Sequence, residues 1–411
     1  MNIFQLLVVA LFMFGFTTEN KEAKAREDFV EVTQHLAIND QGLIIIDQDY
    51  NKALEVASKI DKLIFVDFYT TWCSPCKKLD RLVFQNDSIQ QILEKDFIIL
   101  KYDAENDTMF HLSKKHHVSS YPTGLVLNKE GYVLNRKTGF QGDDFQSLGK
   151  SVLDFSNESI ILNKNNKVIK GYSNIIEAGN YPQFYVDYVN RTNTKKDTES
   201  INEYLNNEEL VYSEEYFSTL IYFASEASDK ITDKTIQLKE TYTELYGKSD
   251  VELLFYFLTI GKFKRAIAEK SQQKYDEAIS FAKSSLSTKW TDDILPTAEI
   301  QLLKAQNKWD EVFELRNAKK DRGEMDNGFV NHFSWSVYKE CDNQKVIQKC
   351  IAWMKEVTDE EPTYAYLDTY AYLLYKSGNK EEASRIALLA LEIGKKEGDS
   401  TKSIETLMSK L

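Results

Sequence analysis

Two cysteines separated by two residues, Cys73 and Cys76, stand in the run Trp72-Cys73-Ser74-Pro75-Cys76-Lys77. That spacing can close a very small disulfide ring. At a helix start, the first sulfur sits in the positive end of the helix dipole, which favours thiolate over thiol. The thiolate is the nucleophile of disulfide exchange, and thiols in such settings titrate at roughly 3.5 to 7.5, against about 8.5 for a free cysteine. Pro75 suits a first-turn position because it has no amide hydrogen for the helix to miss. A C-x-x-C can also be half of a zinc site, but that requires a second pair of ligands. Cys341 and Cys350 lie nine apart in a distant part of the chain, and no paired histidines stand at finger spacing. Redox chemistry without a metal is the expectation.

Such a pair needs a framework. Leu63 to Tyr69 is a continuous run of apolar and aromatic residues but for Asp67, as in a central strand covered on both faces, and it feeds directly into the dithiol. Within that strand, the Asp67 carboxyl is expected to have its pKa raised by desolvation. Gly42 to Asp47 is a short apolar run, and Asp49 to Ile60 has helical spacing at Ala53, Val56, Ala57 and Ile60. The active-site helix is expected from Pro75 to about Val83, and Asn86 or Asp87 can cap the next, through Ile89, Ile92 and Leu93. Phe97 to Asp103 reads as a strand and Thr108 to His116 as a helix. Leu125–Leu127 and Tyr132–Leu134 flank a turn at Asn128 to Gly131, as in a hairpin. Asp143 to Phe155 reads as a closing helix. The Lys114-Lys115-His116-His117 run reads as a solvated helix end whose charges suit the dipole.

A strand delivering its chain into a dithiol at a helix start resembles the thioredoxin family, and Phe65-Val66-Asp67-Phe68-Tyr69-Thr70-Thr71-Trp72-Cys73-Ser74-Pro75-Cys76-Lys77 follows that family's active-site pattern nearly residue for residue. The resemblance implies an α/β fold with a central mixed sheet and flanking helices over residues 27–156. It also implies a thiol–disulfide oxidoreductase with no cofactor beyond its own redox-active disulfide. Carried over, Cys73 attacks, Cys76 resolves, and Asp67 matches the buried acid that moves the Cys76 proton, with Lys101 as its neighbour. Tyr121-Pro122-Thr123 matches the cis-proline loop that faces the disulfide, leaving the Tyr121 backbone free to pair with an extended substrate. Trp72, Ser74, Pro75, Tyr121 and Thr123 then face substrate. Ser-Pro replaces Gly-Pro between the cysteines, and Arg81 stands where ordinary thioredoxins have a kinking proline. Leu82-Val83-Phe84-Gln85-Asn86-Asp87 and Thr138-Gly139-Phe140 look more like the C-terminal periplasmic domain of membrane disulfide-interchange proteins, which favours reduction over oxidation.

The remainder bounds the setting. A chain of 411 residues exceeds one such domain. A formal charge of −13 with a pI near 5.1 argues against nucleic acid or an anionic membrane as partner. Ile3 to Phe16 is apolar apart from Gln5 and Gly15, a length that suits a signal-peptide core more than a span. Residues 1–25, with Ala23-Lys24-Ala25 as cleavage site, are therefore expected to direct export to a periplasm; a buried helix or an uncleaved anchor is the alternative. After a linker at 157–172, residues 173–411 read as helical repeats. Lys274–Ala278, Lys308–Val312 and Asn379–Ala383 align, and Ala278, Val312 and Val346 are spaced by 34, the tetratricopeptide period. Stacked helix pairs make a groove for a protein partner. Cys341 and Cys350 read as buried free thiols, or as a pair if exported. Disulfide-bearing proteins and an upstream thiol donor are the expected partners. The same dithiol can run as an oxidase or isomerase, and a repeat scaffold with a merely docking redox domain is the reading from another class.

Overall fold

The structure, a computed structural model, describes residues 42–411; the expected signal peptide lies outside them. Five strands form one sheet: β1 Ile45–Asp47, β2 Leu63–Tyr69, β3 Phe97–Asp103, β4 Thr123–Leu127 and β5 Val133–Thr138, in the order β1-β3-β2-β4-β5. β1 and β2 run parallel to β3, while β4 is antiparallel to both β2 and β5. Central β2 is buried on both faces except at Tyr69, as its unbroken apolar run dictates. The helix Tyr50–Ile60 starts where Asp49 accepts the Lys52 amide at 2.9 Å, and buries Tyr50, Ala53, Val56 and Ala57 on one side. Phe65 on β2 anchors the opposite core, with Phe84, Phe97 and Phe155 edge-on around it.

Two elements differ from expectation. The helix after the dithiol is regular only over Ser74–Leu79 and then widens into a π turn at Asp80–Phe84. Arg81 stands inside that turn, so the helix departs from regular geometry without a proline. The helix expected over Thr108 to His116 shrinks to Leu112–Lys115, because the Asp107 carboxylate and the left-handed His111 occupy the preceding turn.

The closing helix runs over Phe145–Lys164, so the expected linker at 157–172 begins as further helix. Thereafter the chain stays on the sheet: Ile169 donates to the Val133 carbonyl at 2.8 Å. Short helices follow, including Gln183–Val189, Thr198–Leu205, Glu214–Phe223 and Lys239–Tyr246. The chain divides into two compact units, one ending at Gly261 and one running over Lys262–Leu411, with the boundary inside the helix Lys248–Ala268.

The first unit's helical part explains a correction at Lys114-Lys115-His116-His117, where all four side chains are buried instead of solvated. Lys115 Nζ donates to Glu214 Oε1 at 2.5 Å and to the Ile175 carbonyl at 2.9 Å. Lys114 Nζ donates to the Asp107 carbonyl at 2.8 Å. Arg136 Nη1 on β5 donates to Asp250 Oδ1 at 2.7 Å, and His117 Nε2 lies 3.4 Å from Asp250 Oδ2. Burial, reinforced by the Arg136 charge, pushes His117 down to about 4, so its ring is neutral at neutral pH. Burial alone would raise Asp250, but Arg136 and His117 overcome it and hold that carboxyl at about 2. Tyr172, itself buried, packs against His116 at 5.1 Å and Tyr246 at 5.3 Å.

The second unit, Lys262–Leu411, is helical throughout its ordered elements. Ala278, Val312, Val346 and Ala383 are all buried, in the helices Gln272–Ser285, Trp309–Asp321, Gln344–Glu360 and Lys380–Glu397 respectively. Before three of these helices the chain turns through a left-handed residue: Lys270, Asn307 or Gly378. At Gly378, where that conformation costs least, the next amide, of Asn379, reaches back to the Leu374 carbonyl at 3.0 Å. Cys341 and Cys350 are free and buried in one core cluster, where burial pushes Cys350 up to about 12.

Candidate active site

Cys73 is the N-cap of the helix Ser74–Leu79, with Pro75 in its first turn, and the two cysteines are joined as a disulfide. Cys73 Sγ accepts the Cys76 amide at 3.1 Å. The same donor and the dipole behind it would stabilise a thiolate at Cys73 once the ring is reduced. Both cysteines are nearly covered, whereas Trp72, Ser74 and Pro75 around them are exposed. Placement by the strand is direct: β2 ends at Tyr69, and Cys73 donates its amide to the Thr70 carbonyl at 3.2 Å.

On β2, Asp67 is fully buried, opposite Lys101 on β3 and Gly124 on β4. Lys101 Nζ donates to Asp67 Oδ2 at 2.6 Å and to Asp80 Oδ1 at 2.8 Å. Burial raises the Asp67 pKa even against the adjacent ammonium. For Lys101, burial opposes the charge, but Asp67 and Asp80 together raise its pKa. Asp67 Oδ1 is buried without a hydrogen-bond partner, an acceptor left open on the acid itself. Sequence reasoning found Asp67 and Lys101 but not Asp80, although Asp80 stands four residues after Cys76 on the same helix.

The Tyr121–Pro122 bond is cis, and Thr123 Oγ1 ties the loop by donating to the Ser120 carbonyl at 2.7 Å. Gly139, with φ +73, donates to the Pro122 carbonyl at 2.9 Å. The Tyr121 ring meets Trp72 edge-on at 6.0 Å, so this loop and the dithiol loop share one surface. Trp72 Nε1 donates to Glu105 Oε2 at 2.8 Å, and Glu105 Oε1 accepts from Arg191 Nε at 2.8 Å. Neither Glu105 nor Arg191 carried a sequence signal, being 33 and 119 residues beyond Trp72. Among the described residues no group of three or more His, Cys, Asp or Glu could hold a metal ion.

A Thioredoxin-like family model matches residues 45–129. Thioredoxin-1 of Drosophila melanogaster is 35% identical over 100 residues, covering 24% of this chain and 83% of that protein. The thiol:disulfide interchange protein DsbD of Pseudoalteromonas atlantica is 26% identical over 110 residues, 26% of this chain and 18% of that protein. Among solved structures, the germline-specific thioredoxin Deadhead of Drosophila is 31% identical, over 26% of this chain and 90% of that one, with a TM-score of 0.21.

Proposed function

Since the chain belongs to the thioredoxin-like family and is a thiol–disulfide oxidoreductase, we propose that it reduces protein disulfides in a periplasm or similar exported compartment, using Cys73 and Cys76 and no other cofactor. The observation that supports this reading is a sulfur capping its helix, six residues after a buried carboxyl whose pKa burial raises, on the strand that leads into the dithiol. The Cys73 thiolate attacks a substrate disulfide, forming a mixed disulfide and releasing one substrate thiolate. Cys76 gives its proton to Asp67 and attacks Cys73 Sγ. The second substrate thiol leaves, the Cys73–Cys76 bond re-forms, and two electrons have passed to the substrate. An upstream thiol donor then restores the dithiol. The likeness of Leu82–Asp87 and Thr138–Phe140 to disulfide-interchange proteins supports this direction.

A redox titration of the Cys73–Cys76 couple against glutathione tests it. A potential of about −270 mV or below is expected, and one near −120 mV would make the protein an oxidant. Asp67 is tested separately. Asp67→Asn cannot accept the Cys76 proton, so resolution of the mixed disulfide is expected to slow roughly a hundredfold or more. The acid limb of the wild-type pH–rate profile should vanish with it. Because the folded Asp67 has a raised pKa, ionising it costs stability as pH rises through that value. The variant is therefore expected to melt no lower than wild type at pH 7. A pH–rate profile unchanged by Asp67→Asn would remove the proton-transfer role.

The second unit reads best as tetratricopeptide-like pairs that hold a protein partner in their groove, supported by the 34-residue spacing of buried Ala278, Val312 and Val346.

A further inference from the structure

The dithiol face carries more than a thioredoxin-like fold supplies. The helix Gln183–Val189 and the turn after it lie beside that face: Arg191, left-handed at φ +59, sends its guanidinium to Glu105, which in turn holds the Trp72 indole. Tyr222, on the helix Glu214–Phe223, packs against Tyr188 at 5.8 Å. Burial pushes the Tyr121 phenol up to about 12, and both Glu105 and Arg191 lie close enough to act on it. Trp72 itself is 59% exposed, and the Arg191 side chain 60%. An ion pair so open to water contributes little to stability. Its effect is geometric: one carboxylate bonded on both oxygens cannot swing away from the indole.

We propose that Arg191 is a positioning residue for protein substrates: through Glu105 it fixes Trp72 against Tyr121, giving the dithiol a second wall that selects extended polypeptide with an aromatic or aliphatic side chain beside its cysteine. A flat, immobilised indole presents apolar area without an ordering cost at the moment of binding. Small disulfides reach Cys73 without touching this wall. The proposal rests on the reductase reading above.

The test compares insulin with hydroxyethyl disulfide as substrates of the full chain. In Arg191→Ala the KM for insulin is expected to rise about three- to tenfold relative to that for hydroxyethyl disulfide, with kcat for insulin within about twofold. Arg191→Lys should recover part of that loss, because a point charge can still pair with Glu105 but lacks the fork. Glu105→Gln should act in the same direction, and the double variant should be no worse than either single one, since all break one chain of contacts. Equal shifts for both disulfides, an unmoved insulin KM, or strictly additive losses would overturn the assignment while an active wild type leaves the reductase reading standing. A wild type that reduces neither disulfide would overturn both.

Discussion

Cys73→Ser is expected to lose insulin reduction by roughly a thousandfold or more, because a serine hydroxyl stays protonated where the thiol would ionise and is a poor nucleophile toward sulfur. Cys76→Ser should behave differently. Its first step is intact, so the variant is expected to accumulate a mixed disulfide through Cys73, visible as a reductant-sensitive shift on a denaturing gel. The other two thiols cannot take over, since both are buried in the second unit and burial raises their pKa values. Full turnover in either variant would dismiss the two-sulfur mechanism.

The largest loss of stability is expected from Asp250→Ala. It would leave the Arg136 guanidinium, whose side chain is only 5% exposed, with its charge uncompensated. Removing one partner of a buried pair costs about 3 to 5 kcal/mol, or a melting shift on the order of 10 °C for a unit of this size. Replacing both partners at once, as Asp250→Leu with Arg136→Met, should recover most of it, since apolar groups of similar volume need no counter-charge. The same cluster sets an acid limit. His117 has a folded pKa of about 4, below its unfolded value. Its contribution is therefore fully present above the unfolded pKa, near 6.5, and is lost as pH falls toward 4, on the order of 3 kcal/mol for this one ring. His116, lowered by burial as well, adds in the same direction. Calorimetry between pH 7 and 4 checks both: a transition unmoved by Asp250→Ala, or by acid over that range, would discard this account.

What the sequence made legible is local. The mixed sheet and the roles of Cys73 and Cys76 came from the family resemblance, whereas an apolar strand, a capping cysteine and a proline in the first turn identify themselves by spacing. Asp67 was legible for the same reason, a charge in a run that otherwise has none. Lys114 to His117 misled because burial by distant helices overrides the usual fate of charged residues at a helix end. Their partners, Glu214 and Asp250, are about a hundred or more residues away, beyond any periodic signal. Arg191 was hidden likewise: one arginine in a polar turn looks like any other until the fold sets it beside Glu105.

The buried charges of Lys114 to His117 tie the redox module to the helices that follow it. Lys115, Arg136 and His117 have already surrendered their hydration to Glu214, Asp250 and Tyr172. Cutting the chain at Ser156 would therefore not liberate a miniature thioredoxin but flay one, since Glu214, Asp250 and Tyr172 all lie beyond the cut.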